Sequence, residues 1–265
     1  MPPKQVGIIG YGKMGKAVED AARQRGYDVL VISNNQNPIP PTAPDRLMGW
    51  IDFSTASAVE RSIEWALHTQ KPLVIGTTGW YDRLEDFRYR VLNGKGKVLW
   101  SANFDWMMQI MFILADIASR LIHQSFLQPS IRIHEVHHVS KKDAPSGTAL
   151  HLMRLIQHHF PDLPAFQIRE DTTPTPLEKA SDPMLPMITY RREKDIFGTH
   201  CLQFNTSNAT LAIKHVARNR QGFANGALDA LEWLTQQAPG FYSIDDYIQH
   251  HWMNPAGIIL QNTSL

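Results

Sequence analysis

The sequence predicts an α/β protein in two parts, and three observations predict it. In the N-terminal part, short β-rich apolar runs alternate with helical stretches, the pattern of parallel strands joined by crossover helices. A glycine-rich hexapeptide, Gly10-Tyr11-Gly12-Lys13-Met14-Gly15, stands between the first of these strands and the first helix. After Asp105 the pattern changes to one long apolar helix and then to frequent strands.

Taken in order, strands are predicted over 6–9, 29–33, 50–53, 73–75 and 98–101. Helices fall over 16–25, ended by Gly26, and over 56–69, where Ser54 or Thr55 is in place to cap the first turn. The 34–44 stretch, rich in Asn and Pro, is a loop leaving the second strand. Beyond Asp105 a helix runs to about His123, followed by an alternating strand over 131–136, a loop and another helix. Residues 187–190, 200–205 and 210–216 read as an antiparallel or mixed sheet, after a loop over 171–186 rich in Pro and Thr. From Phe223 the tail returns to helix and is expected to pack back on the first domain. The domains are therefore 1–106 with 217–265, and an inserted 107–216; there is no internal repeat.

Composition narrows the function. With 43% hydrophobic residues in 265, the chain can bury a sizeable core. Its net charge of +1, from 26 basic and 25 acidic side chains, gives no field to hold nucleic acid or a membrane surface, so a small-molecule substrate fits better. The start, MPPKQVGIIG, has neither the apolar stretch of a signal peptide nor that of a membrane span, and a cytoplasmic protein is expected. The single cysteine, Cys201, excludes an internal disulfide and a Cys-based zinc cluster, and reads as a small buried apolar side chain.

The hexapeptide has the strand-before, helix-after context that a dinucleotide needs, and it makes the first domain Rossmann-like. Gly10 permits the tight turn, Gly12 lets backbone approach a pyrophosphate, and Gly15 allows helix to pack closely on strand. The helix N-terminus then offers unpaired N–H groups to the phosphates. The acid that usually follows about 20 residues later, to hold the ribose hydroxyls, is missing: the second strand ends Ile32-Ser33-Asn34-Asn35, and Asp28 lies too early. No Arg follows to bind a 2′-phosphate either, so NADH and NADPH both remain candidates.

The run Glu135-Val136-His137-His138-Val139-Ser140-Lys141-Lys142-Asp143-Ala144-Pro145-Ser146-Gly147-Thr148-Ala149 resembles the signature of dihydrodipicolinate reductases. The resemblance extends to Gly76-Thr77-Thr78-Gly79, to Ala102-Asn103-Phe104, to the Arg192–His200 run and to Arg220-x-x-Phe223-Ala-x-Gly226-Ala. It implies a Rossmann-like domain with an inserted α+β substrate-binding and oligomerisation domain, and a homotetramer joined through sheets of that second domain. It implies reduction of 4-hydroxy-tetrahydrodipicolinate, a small cyclic dicarboxylate of the lysine and diaminopimelate pathway, by NADH or NADPH, in a cleft between the domains. His137 is then the general acid and Lys141 the second proton donor and substrate anchor, while His138, Ser146, Gly147 and Thr148 bind substrate. Cofactor contacts fall on Gly10, Tyr11, Gly12, Lys13, Met14, Gly15, Ser33, Gly76, Thr77, Thr78, Ser101, Ala102, Asn103, Phe104, Arg220 and Phe223.

The residue types agree with that chemistry. A hydride acceptor must also be protonated, and an imidazole beside an ammonium can donate protons and stabilise negative charge. Two positions depart from the family pattern: Asp105-Trp106-Met107 follows Phe104 where Ser-x-Gly is usual, setting a carboxylate and a Met beside the expected cofactor pocket, and Lys194 stands where Gly is common. His134, His151, His158, His159, His250 and His251 read as ordinary core or surface histidines, and His134-x-x-His137-His138 lacks a third-ligand pattern, so no metal is expected. Another nicotinamide dehydrogenase of amino-acid metabolism should lack the 137–149 run. A non-catalytic NAD(P) sensor would not need both His137 and Lys141.

Overall fold

The computed structural model of the protein describes residues 4–32, 44–139, 141, 143–171 and 185–253. Ser33, Asn34, Lys142 and nearly all of the two Pro-rich loops lie outside the described residues. The elements run β1 (Gln5–Ile9), α1 (Lys13–Gln24), β2 (Asp28–Ile32), β3 (Leu47–Asp52), α2 (Val59–Thr69), β4 (Leu73–Ile75), α3 (Leu84–Asn93) and β5 (Lys97–Trp100). They continue with α4 (Trp106–Gln124), β6 (Ser130–His138), α5 (Gly147–His159), β7 (Gln167–Glu170), β8 (Met187–Glu193), β9 (Gly198–Asn205) and β10 (Thr210–Ala217). The chain then forms α6 (Gln221–Thr235), β11 (Gly240–Ser243) and α7 (Ile244–Ile248). Among the described residues two compact units result, one of 4–106 together with 220–253, the other 107–219.

The first unit holds a six-stranded sheet in the order β11-β5-β4-β3-β1-β2, and every pairing in it is parallel. Its inner strands are buried on both faces, which is why they read as continuous apolar runs: Val6, Ile8, Trp50, Ile51, Val74 and Leu99 are all fully covered. Each such side chain contributes about 1.5–3 kcal/mol. The tail helix does return here, tied by Arg25 Nη1, which donates to Asp229 at 2.7 Å and Glu232 at 3.1 Å, and by Trp106 Nε1, which donates to Asp229 at 2.7 Å. Strand order reverses beside β1, and ligands of such sheets bind at the carboxyl ends of the strands at that point.

The second unit is a mixed five-stranded sheet, β10-β9-β6-β8-β7, with β6 at its centre, parallel to β8 and antiparallel to β9. Helices α4 and α5 cover one face, where Met108, Met111, Ala115, Leu152 and Ile156 pack with Ile131, Ile133, Ile188, Leu202 and Phe204. Cys201 is a free, buried thiol. Among the described residues no helix is long and apolar enough to cross a membrane.

The expected cap at Ser54 or Thr55 does not form. A single 3-10 turn, Ala56–Ala58, leads into α2, and the Thr55 side chain makes no capping bond. The backbone N–H of Ser54 instead donates to Asp52 Oδ1 and to Thr77 Oγ1.

Candidate active site

In the first unit the predicted cofactor residues follow the carboxyl ends of β1, β4 and β5. Gly10 takes a left-handed φ of +85°, and a Cβ there would press on the Phe53 carbonyl. A Cβ on Gly15 would land on the Gly10 carbonyl oxygen. At Gly12 a Cβ would meet nothing within 4 Å, and this residue is the N-cap of α1 without any side-chain capping bond. The first N–H groups of α1 are thus open to an anion, as a pyrophosphate requires. Tyr11 is exposed beside them, its hydroxyl bonded to Glu19, and Lys13 and Met14 form the first turn.

Other predicted contacts turn out to shape these loops through their side chains. Thr77 Oγ1 donates to buried Asp52 at 2.8 Å, Ser101 Oγ donates to the Asn103 carbonyl at 2.7 Å, and Asn103 Oδ1 accepts from the Asp105 N–H at 2.8 Å. Phe104 is buried edge-to-face against Phe53. Gly76 is half-buried, Thr78 and Ala102 are exposed, and Arg220 and Phe223 lie at the start of α6. Asp105 is also buried there, with its carboxylate under Gly222, where an anion complements the helix N-terminus. Met107 is 64% exposed and falls on the second unit.

In the second unit, strand alternation puts Glu135 and His137 on one face of β6 and His138, half-buried, on the other. Register brings His200 of β9 opposite Glu135 and Arg192 of β8 beside His137. The Glu135 carboxylate, fully buried, lies 3.7 Å from His137 Nδ1, 3.7 Å from His200 Nε2 and 3.5 Å from Arg192 Nη1. It also accepts from the N–H of Ser146 at 3.0 Å and from the Ser146 hydroxyl. Burial alone would raise its affinity for a proton, but the approach of His200, Ser146 and His137 outweighs this and holds it ionised. Burial, the neighbouring His200, Lys141 and Arg192 hold His137 well below the usual histidine range, against the pull of Glu135. Burial likewise depresses His200.

Ser146 caps α5, its Oγ accepting from Ala149 N–H at 3.2 Å. Both of its donors go to Glu135, so the hydroxyl expected to meet a ligand is spent on holding the helix. The N–H groups of Gly147 and Thr148 have no intrahelical acceptor and face outward from the first turn. Lys141 Nζ sits 2.8 Å from both Asp143 carboxylate oxygens. Arg192 Nη2 donates to the Asp143 carbonyl at 2.5 Å, tying this loop to the cluster. Glu135, His137 and His200 offer atoms within 4.8 Å of one another, a spacing a metal ion can use. The carboxylate accepts hydrogen bonds from Ser146 and lies beside the Arg192 cation, so it already has partners of its own.

Sequence reasoning missed Glu135 and His200 as site residues. Both stood in quoted motifs, and the i, i+2 step from Glu135 to His137 was the available signal. His134 makes the ordinary core contact expected of it, with Nδ1 2.8 Å from Thr189 Oγ1. At the Lys194 turn, the left-handed residue is Asp195, φ 59°, which Asp tolerates better than most.

An open β1–α1 turn at the switch point of a parallel sheet is how nicotinamide-dependent dehydrogenases and reductases take their cofactor, and the first unit falls in that class. Two family models then account for nearly the whole chain: "Dihydrodipicolinate reductase, N-terminus" matches residues 4–104 and "Dihydrodipicolinate reductase, C-terminus" matches 107–248. The chain belongs to the dihydrodipicolinate reductase family. It is 32% identical to the 4-hydroxy-tetrahydrodipicolinate reductase of Zymomonas mobilis, over 92% of this chain and 96% of that one. It is 28% identical to that of Christiangramia forsetii, over 94% and 99%. A dipicolinate-bound dihydrodipicolinate reductase from Paenisporosarcina has the same fold, with TM-score 0.65 at 21% identity over 91% of this chain and 97% of that one.

Proposed function

We propose that this protein reduces 4-hydroxy-tetrahydrodipicolinate to tetrahydrodipicolinate, consuming NADH or NADPH and one proton and releasing water and the oxidised cofactor, in lysine and diaminopimelate biosynthesis. The observation that carries it is the grouping of His137, Lys141 and the open N-terminus of α5 on one sheet end, within a chain of this family. The first unit supplies the cofactor loop, which fits a pyrophosphate because Gly12 and the uncapped start of α1 are open. When bound, the nicotinamide supplies the hydride.

The chain's own residues do the rest. The N–H groups of Gly147 and Thr148, at the positive end of α5, bind one substrate carboxylate. Lys141, held by Asp143, anchors the substrate and stabilises negative charge, and His138 makes a further polar contact. His137 hands on the proton through Nε2, beside Gly198, where the lack of a side chain leaves space: a Cβ there would lie 3.3 Å from that nitrogen. Neutral in the free protein, His137 gains proton affinity when a dicarboxylate brings two negative charges near it.

The family also supports a homotetramer joined through the second sheet and a cytoplasmic location, where the cofactors are available; light scattering on the purified chain tests the first. Cofactor oxidation with freshly generated substrate tests the reaction. Substrate-dependent oxidation is expected, and its absence in folded, cofactor-binding protein would leave a binding protein without catalysis.

A further inference from the structure

We infer that Glu135 is a positioning residue, resting on the reading of His137 as the proton-transfer group: it fixes the His137 ring with Nδ1–H toward its carboxylate, leaving Nε2 to exchange the proton. The two side chains leave β6 on the same face. His137 Nδ1 is buried, has no hydrogen-bond partner among the described residues, and lies 3.7 Å from Glu135 Oε2, just beyond bonding range. An imidazole nitrogen buried beside a carboxylate keeps its hydrogen on that side, because a lone pair there would face negative charge with nothing to accept. The other nitrogen then points to the one position where β9 has no side chain, Gly198.

The surroundings explain why a carboxylate is needed. Facing His137 are His200 from β9, Arg192 from β8 and Lys141 from the loop after β6, with His215 of β10 opposite His200. Two of these are permanent or ready cations and oppose a proton on the imidazole. Glu135 is the one fully buried group of opposite sign, and its side chain is immobilised by Ser146 and Arg192. The same carboxylate therefore does two jobs: it holds the first turn of α5 through Ser146, and it supports the positive charge His137 carries before the proton leaves. In arrangement this matches the logic by which a buried acid orients a catalytic imidazole and stabilises its cation without taking the proton itself.

These two jobs separate experimentally. Glu135→Gln keeps the shape and removes the charge, so kcat at neutral pH should fall about 10- to 100-fold. The pH above which kcat declines, which reports the substrate complex, should move down by about one unit, with NADH affinity within about twofold of wild type. Ser146→Ala removes the hydroxyl's bond to Glu135 and the cap of α5 but keeps the backbone N–H bond and the charge, so KM should rise while the pH profile stays where it is. Adding Glu135→Gln to His137→Gln should cost little more than His137→Gln alone, since a residue acting through another loses its effect when that one is gone. Should Glu135→Gln not fold, histidine nitrogen NMR of the wild-type protein still decides, with the Nδ1–H tautomer expected for His137. An Nε2–H tautomer, an unmoved pH profile in folded Glu135→Gln, or fully additive losses in the double variant would overturn the inference while leaving His137 as the proton donor. Full turnover in His137→Gln would instead remove the reading on which the inference rests.

Discussion

Replacing Gly12 with valine and Gly15 with alanine separates what the glycine loop does for the fold from what it does for the cofactor. A side chain at Gly12 enters open space, and its backbone φ of −82° suits any residue, so the free protein should lose about 1 kcal/mol or less, the cost of a poorer N-cap. A methyl at Gly15 is driven into the Gly10 carbonyl, whose residue is held against the Phe53 backbone and by its N–H bond to the Ile32 carbonyl, at a cost of about 1–3 kcal/mol. In a protein of this size each kcal/mol lowers the melting temperature by roughly 2–4 °C. With NADH at a hundred times its wild-type Kd, ligand binding stabilises the native state by about 2.7 kcal/mol, and a hundredfold weaker Kd leaves about 0.4 kcal/mol. Melting curves with and without NADH therefore have opposite signatures: Gly12→Val melts near wild type alone and loses the NADH shift, whereas Gly15→Ala melts several degrees low before any ligand is added. A full NADH shift in Gly12→Val would show that the pyrophosphate does not approach α1 at this turn.

Other outcomes follow from single observations. Because β2 ends without an acid or arginine at its tip, NADH and NADPH should bind within about tenfold, roughly 1.4 kcal/mol, as calorimetric titration would show; a hundredfold preference would reveal another discriminating residue. His151, packed 4.4 Å from the Phe112 ring, has its proton affinity lowered by burial to about 4. The unfolded chain then takes a proton below pH 6.5 that the folded one refuses until about pH 4, so stability is intact above 6.5 and falls as pH drops through that window. At pH 5 the loss from this residue is about 2 kcal/mol, and His151→Phe should remove it in urea titrations at pH 7 and 5; an unchanged pH dependence would contradict the burial argument. Since hydrogen bonds and Arg192 satisfy Glu135, prolonged chelation followed by gel filtration should leave turnover unchanged, and loss restored by zinc would reassign the cluster to a metal.

What the sequence made legible follows range of interaction. Strands β1, β4 and β6 and the glycine turn were readable because local apolar runs and glycines specify them. Helix α3 was not: it buries only Phe87 and Val91 and otherwise shows charge to solvent, leaving little periodic signal. Four-residue β7 and β11 exist by pairing on the sheet edges, which no local pattern announces. The same limit applies at the site. His137 and Lys141 stand close in sequence, but His200 and Arg192 reach Glu135 only through strand register, and register is a long-range property. The role expected of the Ser146 hydroxyl changed for that reason, since its acceptor, Glu135, lies 11 residues away across the loop.

The most direct test of the function is substrate-dependent cofactor oxidation by purified wild type, His137→Gln, Lys141→Ala and the control His134→Gln, each checked for folding and NADH binding. Wild type should turn over. His137→Gln should lose about 10²- to 10⁴-fold in kcat with little change in cofactor affinity, and Lys141→Ala should lose more, with KM rising as the substrate's anchor goes. His134→Gln, whose ring bonds Thr189 in the sheet, should keep near-wild-type turnover. Near-full activity in His137→Gln together with an inactive, folded His134→Gln would contradict the assignment of the proton donor.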